Sequence, residues 1–144
     1  MKIALGADHG GFSHKEVIKK FLIDNGHDVK DFGTYSLDSV DYNDYAKLVA
    51  EGVRDNEFDR GILVCGTGIG MSIMANKVDG IRAALVHDLF TAEATRLHND
   101  SNVLAMGGRV IGEGLALKIV EVWINTEFSQ AERHQRRINK INKY

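Results

Sequence analysis

Short runs of Ile, Val, Leu and Ala alternate along the chain with longer segments whose apolar positions recur every three or four residues. Continuous apolar runs mark buried strands and a period of 3.6 marks helices, so the alternation predicts an α/β fold around a parallel sheet. The expected strands are KIALGA (2–7), DVKDF (28–32), GILVC (61–65), IRAALV (81–86) and NVLAM (102–106). A first helix is expected from about Phe12 to Asn25, with Ile18, Phe21 and Leu22 on one face, Ser13 and Glu16 as a capping box, and Gly26 just past its end. A second covers roughly Tyr42 to Asp55, a third follows the Gly66–Gly70 loop, and a fourth starts after Asp88. A fifth spans about Glu113 to Asn125, with Leu115, Ile119 and Val122 in register. The last helix begins at Ser129, with Glu132 three residues on, and has few apolar positions.

Right-handed crossovers turn this order into a doubly wound, Rossmann-like five-stranded parallel sheet, expected as one domain over residues 1–144. Ligands of such folds bind at the carboxyl ends of the strands. The segments leaving those ends are ADHGG (7–11), CGTGIG (65–70), HD (87–88) and GGR (107–109), each carrying glycines, ionisable groups or both. Composition adds little to this picture, with 44% apolar and 26% charged residues in 144. A single cysteine excludes an internal disulfide, MKIALGAD lacks the apolar stretch of a signal peptide, and no apolar run approaches a membrane span. A cytoplasmic protein without membrane partners is the expectation.

Glycines between a strand and a helix let backbone N–H groups converge, so GTGIG is suited to hold an anion. A dinucleotide fingerprint would place G-x-G-x-x-G on the first strand, but the first turn reads GADHGG and the later loop is G-x-G-x-G. No G-x-x-x-x-G-K-[ST] occurs either, so nucleotide cofactors are poorly supported. Cys65 ends the third strand, where its sulfur faces the crevice that the loop lines. It is open to three readings: a nucleophile, a base, or a buried structural thiol. A base that abstracts a proton needs a sink for the resulting charge, and adjacent backbone donors would stabilise an enediolate oxygen as an oxyanion hole does.

Asp8 and His9 leave the first strand, and His98, Asn99 and Asp100 precede the fifth, which places acid–base groups on loops expected to face the crevice. Net charge is −2, yet residues 129–144 hold Arg133, Arg136, Arg137, Lys140 and Lys143 against Glu132 alone. Arg133 and Arg137 are four apart and share a helical face, a suitable geometry for phosphate, whereas Arg136 points elsewhere. The same basic end would also suit nucleic acid or a solvated face, but it is one short cluster with little aromatic interleaving. No grouping of His, Cys, Asp and Glu has metal-ligand spacing.

GADHGGF (6–12), DYNDYA (41–46), GILVCGTGIGMSIMANK (61–77), IRAALVHD (81–88), RLHNDSNVLAMGGRVIG (96–112) and RHQRR (133–137) occur in order over nearly the whole chain. Together they resemble the ribose-5-phosphate isomerase B family, which also contains galactose-6-phosphate isomerase subunits. The resemblance implies an aldose–ketose isomerase of pentose phosphate metabolism that interconverts D-ribose 5-phosphate and D-ribulose 5-phosphate through a cis-enediolate, with no metal or organic cofactor. It implies a homodimer, or a dimer of dimers, with active sites shared between subunits and the C-terminal helix packing across the dimer.

By the same resemblance Cys65 is the base that moves the proton between C1 and C2, and Thr67 with the amides of Gly66, Gly68, Ile69 and Gly70 holds the enediolate oxygen. His98, with Asp8, would open the sugar ring. Asn99 would bind a substrate hydroxyl, and His9, Arg109, Arg133 and Arg137 would grip the phosphate. Asn43 stands where the family commonly has proline, and Met71 stands where some relatives place a glutamate base, which favours Cys65 in that role. An isomerase of allose 6-phosphate or galactose 6-phosphate is the alternative within the class. A non-catalytic module binding sugar phosphate or nucleic acid is the alternative outside it, and it would not require both Cys65 and His98.

Overall fold

The computed structural model describes residues 1–144. Five strands, β1 (Lys2–Ala7), β2 (Asp28–Asp31), β3 (Arg60–Cys65), β4 (Ala83–Leu85) and β5 (Val103–Gly107), form one parallel sheet in the order β2-β1-β3-β5-β4. Six helices complete the chain: α1 (Phe12–Asp24), α2 (Tyr42–Arg54), α3 (Ile69–Ala75), α4 (Leu89–Asn99), α5 (Glu113–Asn125) and α6 (Glu132–Asn142). None of them is long and apolar enough to cross a membrane. The central strands are apolar on both faces because both faces are covered. On one side Ile3, Leu5, Ile62, Val64 and Leu104 pack with α1, α4 and α5 around Trp123, whose Nε1 donates to Ser101 Oγ at 2.9 Å. On the other, Ala4, Leu63, Val103 and Ala105 pack with α2 and α3.

The expected elements are all present, and their ends differ where long-range contacts intervene. β4 is three residues long because Ile81 and Arg82 precede the ladder, with the Arg82 amide donating to Asn102 Oδ1 instead. The capping box at Ser13 does not form. α1 starts at Phe12 as expected, but its N-cap is Gly11, pressed onto the Val64 carbonyl so closely that a Cβ would collide with it. Glu16 turns to Lys15 and Lys19, and Asp8 Oδ1 accepts from the amides of Gly10 and Gly11 at 2.8 and 3.2 Å. Gly26 does close α1 in the left-handed conformation, φ 84°. The last helix starts at Glu132, not Ser129, whose hydroxyl is spent on the Ala131 amide and on His134 Nδ1. Within the chain α6 lies on α4, burying His134 and Ile138.

One buried charge locks α1 to the end of β2. Lys15 is fully buried, with Nζ 2.6 Å from Asp31 Oδ2 and 2.7 Å from Glu16 Oε1, and Lys19 reaches the same Asp31 oxygen at 2.9 Å. Burial by itself would raise the Asp31 carboxyl, but hydrogen bonds from Lys15, Lys19 and the Gly33 amide outweigh it and hold the group below the ordinary carboxylate value. Removing the carboxylate leaves a buried ammonium with one half-exposed partner. Asp31→Ala is therefore expected to cost about 3–5 kcal/mol in urea unfolding, whereas Lys15→Met, which removes the buried charge itself, costs much less. A depressed folded-state value means that this stability is present above the unfolded value of 3.8 and is lost as pH falls through the folded one. Stability measured from pH 6 down to about pH 2 should therefore drop more steeply in the wild type than in Asp31→Asn.

Candidate active site

At the carboxyl ends of β1, β3 and β5 the connecting loops meet main chain against main chain. Cys65, the last residue of β3, sits on the α2–α3 side of the sheet among Met71, Ala75 and Ala105, and is 5% exposed. Its sulfur is turned to the glycine loop, where Sγ accepts the Gly68 amide at 3.0 Å. Gly68 makes that contact possible. Its φ is 77°, and a Cβ there would lie 2.7 Å from the Met106 carbonyl carbon, so only glycine passes. The Cys65 carbonyl accepts the Gly108 amide at 2.8 Å and the Gly66 carbonyl accepts that of Arg109 at 3.0 Å, tying the loop after β5 to the loop after β3.

Several expected site residues converge here. Asp8 is buried next to the loop, since its own amide donates to the Val64 carbonyl at 3.2 Å. Arg109 lies across Gly66, with Nη1 3.2 Å from where a Cβ of that glycine would stand. Thr67 is exposed at the loop's tip, its Oγ1 accepting the Ile69 amide at 3.3 Å, and Gly70 is half-buried. His9 is half-buried with Nδ1 accepting the Val40 amide at 3.2 Å, which puts its ring proton on Nε2. Cys65, Asp8, His9, Thr67, the amides of Gly66–Gly70 and Arg109 thus share one end of the sheet.

His98, Asn99, Arg133 and Arg137 do not join them. His98 and Asn99 belong to the last turn of α4, not to a loop facing the crevice, and α4 runs from the carboxyl end of β4 back to the amino-terminal end of β5. Eleven residues of helix separate the two ends by roughly 16 Å. The Asn99 carbonyl accepts from Arg82 Nε at 2.9 Å, just before β4 begins. The His98 ring stacks on His134 of α6 with centroids 4.6 Å apart and planes tilted by 45°, and Arg133 and Arg137 are exposed on the same helix. Burial first, then the positive charges of Arg133, His98 and Arg137, push His134 below the ordinary imidazole value. The chain therefore carries two clusters at opposite ends of its sheet, one with the thiol and the bare loop, the other basic and rich in imidazole.

Three further residues shape the first cluster, and none was assigned from sequence. The Tyr42 ring lies against Gly70, with ring carbons 2.5 Å from where a Cβ would be. His87 Nε2 accepts the Gly107 amide at 2.9 Å and holds the end of β5 beside Cys65. His14 Nε2 donates to the Ile111 carbonyl at 2.8 Å under the loop that carries Arg109. His87 is visible in the HD pair after the fourth strand, but its partner is a backbone amide 20 residues away, which no local pattern reveals. No group of three or more His, Cys, Asp or Glu side chains is arranged to hold a metal ion.

Residues 3–141 match the family model of ribose/galactose isomerases. The chain is 47% identical over 140 residues to ribose-5-phosphate isomerase B of Escherichia coli, covering 97% of this chain and 93% of that one. It is 40% identical to D-erythrulose-4-phosphate isomerase 2 of Mycolicibacterium smegmatis, covering 100% and 97%. The structure of ribose-5-phosphate isomerase B from Clostridium thermocellum superposes with a TM-score of 0.97 at 51% identity, covering 99% of this chain and 96% of that one. With the parallel sheet, the bare loop after β3 and the order of the motifs, these likenesses place the chain in the ribose/galactose isomerase family of sugar phosphate isomerases.

Proposed function

We propose that the protein interconverts D-ribose 5-phosphate and D-ribulose 5-phosphate, with Cys65 as the base. The observation that carries this reading is the 3.0 Å contact between the Gly68 amide and Cys65 Sγ, which turns a proton acceptor toward the glycine loop. As a thiolate, Sγ takes the proton from C2 of the open-chain aldose. The C–H electron pair forms the C1=C2 double bond and the carbonyl pair moves onto O1. A proton passes from O2 to O1, the O2 carbonyl forms, and the thiol returns its proton to C1, so base and charge end as they began. The amides of Gly66 and Gly70, with Thr67, stabilise the intermediate negative charge most when it is fully developed, which is what lowers the barrier, while those of Gly68 and Ile69 are engaged by Cys65 Sγ and Thr67 Oγ1. His98 and Asp8 open the ring, Asn99 holds a hydroxyl, and His9, Arg109, Arg133 and Arg137 bind the phosphate.

In this reading a second copy of the chain completes the site, because the length of α4 keeps His98, Asn99, Arg133 and Arg137 of one chain away from its own Cys65. A homodimer is supported by apolar side chains left exposed around the loop and the edge strand: Ile69 and Ile73 on α3, Leu85 on β4, Leu89 and Phe90 at the start of α4, with Phe90 76% exposed. None of the cavities within one chain is lined by Asp8 or Cys65, in keeping with a pocket whose other wall comes from elsewhere.

Cys65→Ala should lower kcat by roughly 10²–10⁴ while far-UV circular dichroism is unchanged, and an activity equal to wild type would remove the proposed base. Conversion in deuterated water, run over ribose 5-phosphate, erythrulose 4-phosphate, allose 6-phosphate and galactose 6-phosphate, should place label at the exchanged carbon and be fastest with ribose 5-phosphate. Arg137→Ala should raise KM for the phosphorylated sugar far more than for free ribose; equal losses on both would argue against phosphate binding. Mixing Cys65→Ala with His98→Ala, each nearly inactive alone, should restore about a quarter of wild-type activity through random reassortment into dimers with one intact site. A mixture as inactive as its parts would place both residues in a site made by one chain.

A further inference from the structure

The densest buried positive charge in the chain belongs to neither cluster of the proposed active site. A cavity of about 340 Å³ opens at the amino-terminal ends of β3, β4 and β5, and three guanidiniums line it, those of Arg60, Arg82 and Arg96. Arg60 and Arg96 are only 7% and 4% exposed. Two buried cations of like sign side by side are unfavourable unless counter-charge or hydrogen-bond acceptors meet them.

Structural duties occupy part of each fork. Arg60 Nη1 donates to the carbonyls of Trp123 and Ile124 at 2.8 and 3.0 Å, closing the last turn of α5. Arg96 Nε donates to the Thr126 carbonyl at 3.1 Å, and its Nη1 to Asp100 Oδ1 at 2.8 Å and the Ser101 carbonyl at 2.6 Å. Nε and Nη2 of Arg60 and Nη2 of Arg96 have no acceptor in the chain. No fully buried side-chain nitrogen or oxygen is left without a partner, so these donors keep access to solvent, and both residues line the cavity. The two carboxylates at its wall are already engaged, Asp100 by Arg96 and Arg82, and Asp59 by the Lys2 amide at 2.7 Å. Burial, followed by the like charge of Arg96, pushes Arg60 down to about 10 despite the opposing pull of Glu127, Asp100 and Asp59. Desolvated positive charge is therefore in excess here.

We propose that this cavity binds a small oxyanion, a phosphoryl or carboxylate group, between Arg60, Arg82 and Arg96. The free Nε–Nη2 edge of Arg60 offers paired N–H donors and Arg96 adds Nη2, while Arg82, whose nitrogens donate to Asn99, Asp100 and Asn142, contributes positive charge to the wall; the volume admits a metabolite of a few carbons as well as the bare ion. Arg82 connects the cavity to the active-site residues, since its Nε donates to the Asn99 carbonyl and its Nη1 lies 3.3 Å from Asn142 Oδ1 at the end of α6. Binding itself does not depend on the catalytic reading.

The test is a titration of the ¹⁵N-labelled full chain with inorganic phosphate and, separately, with malonate, following the Nε–H resonances of Arg60 and Arg82 at constant ionic strength set by chloride. Saturable shifts of both resonances are expected with at least one anion, and the tighter of the two identifies the headgroup. Arg82→Gln should weaken the midpoint about tenfold or more, as loss of one of the three cations lining the cavity does, while Arg137→Ala leaves it unchanged. The proposal is overturned if the Arg60 resonance does not move with either anion in the wild-type chain, if chloride moves it equally, or if Arg82→Gln leaves the midpoint where it was.

Discussion

Main chain packed on main chain, with no side chain between, is the constraint on which the rest of this molecule depends. Gly11 sits on the Val64 carbonyl, Gly68 on that of Met106, Gly107 on the backbone of Thr67 and Gly108 on the carbonyl of Gly10. The ends of β1, β3 and β5 can approach so closely only because these positions carry no Cβ. The same closeness turns the Gly68 amide onto Cys65 Sγ. Packing and the proposed chemistry therefore make one demand of the sequence, and a methyl group at Gly68 would fail both through strain in the backbone and collision with β5.

The second organising element is the length of α4. A parallel sheet requires each crossover helix to return the chain to the opposite end, so residues at the two ends of α4 lie on opposite sides of the molecule. His98 and Asn99 are therefore grouped with His134, Arg133 and Arg137 through the packing of α6 on α4, and not with Cys65. The physical result is a division of chemistry: the thiol end holds Cys65, the loop amides, Asp8, His9 and Arg109, and the other end holds the stacked imidazoles with Arg133 and Arg137.

Two buried clusters of charge show how differently such groups are managed. Around Lys15 the carboxylates of Asp31 and Glu16 meet the charge directly, beside the rings of Phe12 and Tyr35, and the cluster joins α1 to β2. Around Arg60 and Arg96 the counter-groups are chiefly helix-end carbonyls, with the nearest carboxylates already engaged by other donors. Carbonyl dipoles satisfy individual N–H groups without cancelling the charge, and this is why the two sites differ in what they could still bind.

Reading the amino acids in order was enough to recover the strands, the helices, the Gly66–Gly70 loop and Cys65 at the end of β3. Each is encoded locally, by the period of Ile3, Leu5, Ile62 and Val64 in strands, by Ile18 and Leu22 in a helix, and by glycines where backbone must pass backbone. What local pattern could not reveal were the contacts made by residues distant in the chain. Ser13 and Glu16 have the spacing of a cap, yet Gly11, held against Val64, is the N-cap of α1 and Lys15 claims the glutamate. His98 looks like a loop residue beside a crevice until the return path of α4 carries it to the far end of the sheet. Tyr42 over Gly70, His87 on the Gly107 amide, and the meeting of Arg60, Arg82 and Arg96 are likewise decided by tertiary structure, because the free energy of each comes from a neighbour that only folding supplies.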